Sequence, residues 1–216
     1  YGTAATTFEA ENGLVRKLLD HMTENGDMAP TIVVSPSYNY GNPTPNYVDA
    51  DPYCEALPQE LVNDLIPIVE SRYRTYAEST DAAGLESSRE HRAIGGFSMG
   101  AVTTWYALEH TLDYFKFFMP VSADCWSLGA FAGMNRPTET AEYLAGIIRQ
   151  SPHAGTGFYI WAASGTDDSA YRETLVQVEA MAQLTDVFPL SNLTFHEKDG
   201  ARHEFRPMAC LLYTSP

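Results

Sequence analysis

Basic residues are scarce in this chain of 216 residues. It has 13 Lys and Arg against 28 Asp and Glu, which gives a net charge of −15. A chain this acidic lacks the positive surface with which proteins bind nucleic acid or anionic membranes, so neither partner is expected. No run of about eighteen apolar residues occurs either, so the sequence offers no candidate for a membrane-spanning helix.

Cysteine is also rare, and no motif of metal ligands is present. The three cysteines, Cys54, Cys125 and Cys210, show no CxxC spacing. They are too few for a disulfide framework, and three free or buried thiols are favoured over one disulfide with an odd thiol. The chain also lacks an HExxH motif or any comparable ligand spacing, so no metal site is expected.

What the chain does have is an alternation of short apolar runs with amphipathic segments. Hydrophobic residues make up 44% and aromatic residues 12% of the chain, enough for a sizeable core. The patterns predict strands at 31–36, 92–96, 115–121, 158–163 and 193–197, and helices at 9–25, 58–76, 101–110, 138–150 and 169–184. This order predicts an α/β fold with a parallel sheet and helices on both faces, and a site at the carboxyl ends of the strands. The long loop 37–58 is expected to serve function.

The strongest local motif is Gly96-Phe97-Ser98-Met99-Gly100. It directly follows a predicted strand and directly precedes a predicted helix, which is the context of a nucleophile elbow. In such a turn the serine side chain stands above the sheet, and the next N–H group, from Met99, can point at a developing oxyanion. The motif therefore predicts Ser98 as a nucleophile.

A nucleophilic serine needs a histidine base and an acid that orients it, and in this architecture they follow in the order Ser, acid, His. Asp167 and Asp168 both follow the predicted strand 158–163, although either can instead cap the next helix. Asp124, after the strand 115–121, is a weaker alternative.

Four histidines follow Ser98, and their positions differ. His110 ends the predicted helix after the elbow, His153 lies in a turn, and His196 lies inside the last predicted strand. His203 lies in the loop just after that strand, at the edge of the sheet where active sites occur. The sequence favours His203 as the base.

With Ser98 as candidate nucleophile, Asp168 as candidate acid and His203 as candidate base, the chain resembles α/β-hydrolases of the first carbohydrate esterase family. This family holds feruloyl esterases and acetyl xylan esterases. The resemblance covers nearly the whole chain. It is carried by the segments 30–36, 65–73, 92–105, 118–126, 165–168 and 200–205. It favours Asp168 over Asp167, because the acid of the family is the fourth residue of a Gly-Thr-x-Asp run.

The resemblance implies a two-step hydrolysis of esters without metal or cofactor, in which backbone N–H groups hold the oxyanion. One of them belongs to Met99. The start of the chain, Tyr1-Gly2, resembles the tail of the family's His-Gly-x-Gly segment, so Gly2 is expected to supply the second donor. The chain is thus expected to be a single α/β-hydrolase domain over 1–216 that lacks its N-terminal strands and whose end matches the family's closing helix poorly, and to be weakly active or inactive alone.

Substrate class rests on aromatic and amide side chains in two loops expected to border the site. They are Trp126, Tyr38, Asn39 and Tyr40. Aromatic faces suit a phenolic acid or a sugar ring, which favours a plant polysaccharide ester or a small aryl ester and an extracellular enzyme. The alternatives are a small-ester hydrolase, of the S-formylglutathione hydrolase or siderophore esterase type, and a non-catalytic carbohydrate-binding module.

Overall fold

The computed structural model describes residues 13–37, 46–155 and 157–204. Its helices are α1 (Leu14–Asn25), α2 (Asp51–Glu60), α3 (Ile66–Arg72), α4 (Ala82–Ser87), α5 (Met99–His110), α6 (Ala132–Asn135), α7 (Pro137–Gln150) and α8 (Tyr171–Ala182). Its strands are β1 (Ala93–Phe97), β2 (Phe117–Val121), β3 (Tyr159–Gly165) and β4 (Leu193–Lys198). Among the described residues, no helix is both long enough and apolar enough to cross a bilayer.

The four strands form one parallel sheet in the order β1-β2-β3-β4. Phe97 at the end of β1 pairs with Val121, which in turn pairs with Ala163 of β3. All four strands therefore end at the same edge of the sheet, and the loops that follow them meet there. The expected α/β-hydrolase fold with a mostly parallel sheet is confirmed.

The helices after β1, β2 and β3 lie on one face of the sheet. Parallel strands added in sequence order require right-handed crossovers of the same sense, which place α5, α7 and α8 together. Helix α5 packs on β1 and β2, and α8 packs on β3, β4 and α7. The large apolar core lies between these helices and the sheet and includes Trp105, Leu108, Phe118, Leu144, Ile148, Ile160, Met181 and Leu193.

The opposite face of the sheet carries a smaller apolar cluster. Because side chains alternate along a strand, Val121, Trp161 and Ala163 point away from the helical layer, and they pack with Ala201 of the loop after β4. Helical cover on this second face, which the sequence also indicates, stays a prediction.

The predicted strand at 31–36 is wrong. These residues form no strand, and Ile32, Val33 and Val34 are 45%, 47% and 43% exposed. Their β-branched side chains suit a strand, but a strand also needs a neighbour for its backbone hydrogen bonds, and no described strand lies beside them. A pattern of side chains does not report whether such a neighbour exists.

The expected long loop 37–58 is wrong in its second half. Within it, a 3₁₀ turn at Tyr47–Ala50 leads directly into α2. The side chain of Asn46 accepts a hydrogen bond from the N–H of Val48, and Pro52 lies in the first turn of α2, where its missing N–H has no cost. Residue types typical of loops thus start a helix here.

The predicted helix 58–76 is divided. Pro58 lies inside α2, a π-helical turn follows at Leu61–Leu65, and α3 begins at Ile66 with Pro67 in its first turn. The α-helix is interrupted just before Pro67, because proline removes a helical donor and is accommodated at a helix start.

Candidate active site

Ser98 occupies the sharp turn between β1 and α5. Its backbone has φ 57° and ψ −120°, a strained conformation for a residue with a side chain. The turn is held on both sides. The N–H of Ser98 donates to the carbonyl of Val121 at 2.9 Å, and the carbonyl of Ser98 accepts the N–H of Ala101 at 2.7 Å. The turn places Ser98, half-buried, at the carboxyl edge of the sheet.

The tightness of this turn depends on Gly96. A Cβ atom added at Gly96 would lie 2.4 Å from the carbonyl carbon and oxygen of Gly100, both backbone atoms that cannot move aside alone. A Cβ added at Gly100 meets nothing within 4 Å. Close approach of strand and helix therefore requires glycine at position 96 and not at position 100.

We expect Gly96→Ala to lower the free energy of unfolding by about 3 kcal/mol, the upper end of what overpacking usually costs, because the new methyl group displaces the α5 backbone. Gly100→Ala is the matched control. It is expected to change stability by less than about 1 kcal/mol, since the methyl group enters open space in a helix. Urea unfolding followed by circular dichroism measures both, and equal losses would contradict this explanation of the turn.

The loop after β4 brings His203 to Ser98. Its Nε2 lies 2.9 Å from the Ser98 Oγ, and its Nδ1 lies 2.7 Å from Oδ1 of Asp168. The ring of Phe97 packs against the imidazole with 4.7 Å between the centroids. Three side chains distant in sequence thus form one hydrogen-bonded line, with the imidazole in the middle.

Asp168 is the buried end of this line, and its side chain is fully shielded from solvent. Its Oδ1 also accepts the N–H of Ala170 at 2.7 Å. Burial by itself raises the pKa of Asp168, but the hydrogen bonds from His203, Ala170 and Ser122 outweigh burial and hold the pKa below its usual value. The carboxylate therefore stays ionised and can hold the Nδ1 proton of His203.

The other acids and histidines considered from the sequence lie elsewhere. Asp167 is exposed, and its N–H donates to the carbonyl of Ala201. His110 Nε2 lies 3.7 Å from Oε1 of Glu109, and His153 Nε2 lies 2.8 Å from Oδ1 of Asp113. His196 stacks on Trp161 with 5.1 Å between the ring centroids.

Asp124, the weaker alternative acid, is fully buried and serves another group. Its carboxylate accepts the indole N–H of Trp126 and the backbone N–H of Met134, both at 2.7 Å. Burial raises the pKa of Asp124 to about 6, although these hydrogen bonds lower it. Through its two hydrogen bonds, to Trp126 and Met134, the carboxylate fixes the loop after β2.

We expect the raised pKa of Asp124 to appear in the pH dependence of stability. Between about pH 4 and pH 6 the folded chain holds the Asp124 proton while the unfolded chain has lost it, so this group makes stability fall as pH rises. Subtracting the unfolding free energies of Asp124→Asn from those of the wild type across pH 4 to 7 isolates this contribution. A difference that stays flat, or that rises with pH, would contradict the raised pKa.

The remaining site residues of the sequence analysis divide into two groups. Met99 is the first residue of α5, and its N–H is among the four at a helix start that lack an intrahelical acceptor. Trp126 is 3% exposed, so very little of its surface is open to a ligand. Gly2, Tyr38, Asn39 and Tyr40 lie outside the described residues.

Two supporting residues escaped the sequence analysis. Ser122, directly after β2, has a φ of 59° and its hydroxyl helps to hold the Asp168 carboxylate. Phe97 supports the imidazole of His203. In the sequence, Ser122 directly follows a predicted strand and Phe97 directly precedes the predicted nucleophile. These positions are the signals that point to them. In the part of the chain described, no three His, Cys, Asp or Glu side chains are grouped so as to hold a metal ion.

Comparison with known proteins places this chain among esterases. Residues 6–207 match the model of a family described as "putative esterase". The chain is similar to endo-1,4-beta-xylanase Y of Acetivibrio thermocellus, with 38% identity over 207 residues. The match covers 94% of this chain and 18% of that protein, so the chain corresponds to less than a fifth of its length.

Solved structures give the same relationship. The chain is similar to a serine-to-alanine mutant of the feruloyl esterase module from Clostridium thermocellum complexed with sinapinate, at a TM-score of 0.81 and 36% identity. That match covers 96% of this chain and 70% of the other. A ferulic acid esterase matches at a TM-score of 0.64 and 19% identity, over 99% of this chain and 78% of the other, which supports the fold alone.

Proposed function

The chain belongs to this esterase family, and from that premise we propose that it is a serine carboxylic-ester hydrolase acting on plant cell-wall esters. The observation that carries the proposal is the line of hydrogen bonds from Ser98 through His203 to Asp168. Each member has the chemistry that its place in the line requires: a hydroxyl, an imidazole and an ionised carboxylate.

The first half of the proposed reaction forms an acyl-enzyme. His203 Nε2 takes the proton of the Ser98 hydroxyl while Oγ attacks the ester carbonyl carbon. The resulting tetrahedral oxyanion is held by the N–H of Met99 at the positive end of α5, and Gly2 remains the expected second donor. His203 then gives its proton to the alkoxide of the departing alcohol, and the C–O bond of the ester breaks.

The second half repeats these steps with water. His203 takes a proton from a water molecule, whose oxygen attacks the acyl carbon, and then returns that proton to Ser98 Oγ as the free acid leaves. Asp168 stays ionised throughout. It keeps Nδ1 protonated, so that Nε2 faces Ser98 with its lone pair, and it stabilises the imidazolium formed in each half.

The relatives guide the proposed substrate. One is a feruloyl esterase module complexed with sinapinate and another is a xylanase, which supports phenolic acid esters of xylan, or the smaller aryl or acetyl esters, as substrates. Trp126, Tyr38, Asn39 and Tyr40 are the residues proposed to contact substrate. Because a cell-wall polysaccharide cannot enter a cell, the proposal includes an extracellular location.

The proposal is tested by turnover of two esters of different type. We expect release of ferulate from methyl ferulate and from feruloylated arabinoxylan, and kcat/KM for S-formylglutathione at least about a hundredfold lower than for methyl ferulate. The Ser98→Ala protein is the blank. Preference for S-formylglutathione would favour a small-ester hydrolase instead. Binding of xylan without turnover of any ester would favour a carbohydrate-binding module.

A further inference from the structure

The imidazole of His203 has both of its nitrogen atoms engaged within the plane of the ring. Nε2 lies 2.9 Å from Oγ of Ser98, and Nδ1 lies 2.7 Å from Oδ1 of Asp168. The proposed reaction places a positive charge on this ring twice, once in each half, and the charge spreads over the whole imidazolium. A further group can therefore act on that charge from the faces of the ring, which these two hydrogen bonds leave open.

The side chain of Phe97 lies against one of these faces. Its ring centroid is 4.7 Å from that of His203, and the two ring planes are tilted by 35°. An edge contact would bring the planes to about 90°, so the imidazole meets the face of the phenyl ring more than its edge. The face carries the negative part of the ring quadrupole, and it attracts a cation that lies within about 6 Å of the centroid.

Phe97 is held in place by its strand and by packing. It is the last residue of β1 and pairs with Val121 of β2, whose carbonyl also accepts the N–H of Ser98 at 2.9 Å. The phenyl ring packs against the apolar cluster on the second face of the sheet, which contains Ala201. Ala201 belongs to the loop that carries His203, so this cluster connects the phenyl ring to the base of that loop.

The contact between the two rings is sheltered from water. The side chain of His203 is 18% exposed, and Phe97 is half-buried. Attraction between a cation and a ring face is stronger where water is excluded, because water otherwise hydrates the cation. The surroundings of this pair therefore favour a measurable effect.

Other charged groups also act on His203. Asp168 holds Nδ1 from the loop after β3, and Glu173, in the first turn of α8, interacts with the imidazole electrostatically. On the loop of His203 itself, Arg202 and Glu204 are exposed, so solvent screens their charges.

Glu173 is the group whose titration must be separated from the effect of the phenyl ring. Burial and the charge of Asp124 raise the pKa of Glu173 to about 7, although the attraction to His203 lowers it. Glu173 therefore changes its charge in the pH range where the activity of an enzyme with a histidine base also changes. A test that relies on pH needs a variant in which this carboxyl is absent.

We propose that Phe97 acts in catalysis through His203, by stabilising the imidazolium with the face of its phenyl ring. The attraction arises only when His203 carries a proton taken from Ser98 or from water, so it favours the transition states over the resting enzyme. This inference rests on the proposed function. It makes Phe97 a positioning residue that also acts on the charge of the base, although its side chain exchanges no proton.

The first test replaces the phenyl ring by an aliphatic side chain that is also apolar. We expect Phe97→Leu to lower the maximal kcat/KM for methyl ferulate about fivefold, and to move the pH of half-maximal kcat/KM on the acid side about 0.7 unit lower. The shift is downward because loss of the ring face disfavours the protonated imidazole. A side chain that only fills space gives no such shift when it is replaced. An unchanged midpoint, or one that rises, would overturn the proposal.

The matched comparison removes the titration of Glu173. The pH profiles of Glu173→Gln and of Glu173→Gln/Phe97→Leu should differ by the same downward shift, because the phenyl ring acts on His203 without the carboxyl. A shift that disappears in this background would belong to Glu173 and would overturn the proposal.

A second set of variants keeps the shape of the ring. Phenylalanines with one, two or three fluorine atoms, incorporated only at position 97, carry progressively less negative charge on the ring face. We expect the midpoint to fall with each added fluorine, even if Phe97→Leu fails to fold. Trifluorophenylalanine in place of Phe117, at the amino end of β2, is the control and should leave the midpoint unchanged. A midpoint that does not follow the number of fluorine atoms at position 97 would overturn the proposal.

A measurement without substrate separates this inference from the proposed function. The ring resonances of His203 are followed by NMR as pH changes, in the wild type, in Phe97→Leu and in the fluorinated proteins. If no ester is hydrolysed, the proposed function fails, whereas titration midpoints that fall in the order of fluorine content still support the role of Phe97. Midpoints that are the same in all of these proteins would overturn it.

Discussion

Ser98→Ala and His203→Ala are each expected to lower kcat for an activated aryl ester by about a millionfold, or to the limit of detection. Without Oγ no acyl-enzyme forms. Without the imidazole, 2.9 Å from that oxygen, the hydroxyl keeps its proton and remains a poor nucleophile. Steady-state release of 4-nitrophenol measures the loss, and unchanged thermal unfolding shows that the fold is retained.

The double variant Ser98→Ala/His203→Ala makes this expectation sharper. If the two residues act as one unit, the double variant is no slower than either single variant. Losses that multiply would mean that the two side chains contribute independently, which is incompatible with proton transfer between them.

Asp168→Asn is expected to lower kcat about ten-thousandfold, while Asp167→Asn changes it less than about threefold. The two residues are neighbours in sequence, but only Asp168 is shielded from solvent and lies 2.7 Å from Nδ1 of His203. An asparagine at 168 can present its N–H₂ group to Nδ1, which favours the wrong tautomer of the imidazole. The exposed Asp167 carries no such contact.

Comparison of the two variants on the same ester provides the check. Similar losses in both would show that negative charge near the loop, rather than the specific hydrogen bond, supports the reaction. Asp168→Glu is a useful third variant because it keeps the charge but moves the oxygen, so activity near that of the wild type would also contradict the geometric explanation.

The sheet and the three residues of the proposed triad could be predicted from the sequence, because both depend on local sequence patterns. The apolar runs that became β1 to β4 alternate with the helical segments that became α5, α7 and α8. Gly96 and Ser98 specify the turn through residue type, and the loops after β3 and β4 follow from strand positions. Parallel strands then bring Asp168 and His203 to one edge without further information.

Features that depend on distant contacts could not be predicted in the same way. The segment 31–36 has the composition of a buried strand, but its state depends on a neighbouring strand. The burial of Trp126 depends on Asp124 and on α6, neither of which its own sequence context reveals. Ser122 and Phe131 have positive φ although neither is glycine, the residue type that would have predicted such a backbone. Tertiary packing imposes this conformation, so the local sequence does not reveal it.

In the proposed mechanism, His203 makes Ser98 an active nucleophile toward acyl carbon. Reaction with a fluorophosphonate, with the modified residue mapped by mass spectrometry, tests this directly because the reagent phosphonylates serines that a neighbouring base activates. We expect one modification, at Ser98, which is absent in Ser98→Ala and at least about a thousandfold slower in His203→Ala. Modification of a different residue, or equal rates in wild type and His203→Ala, would contradict the claim.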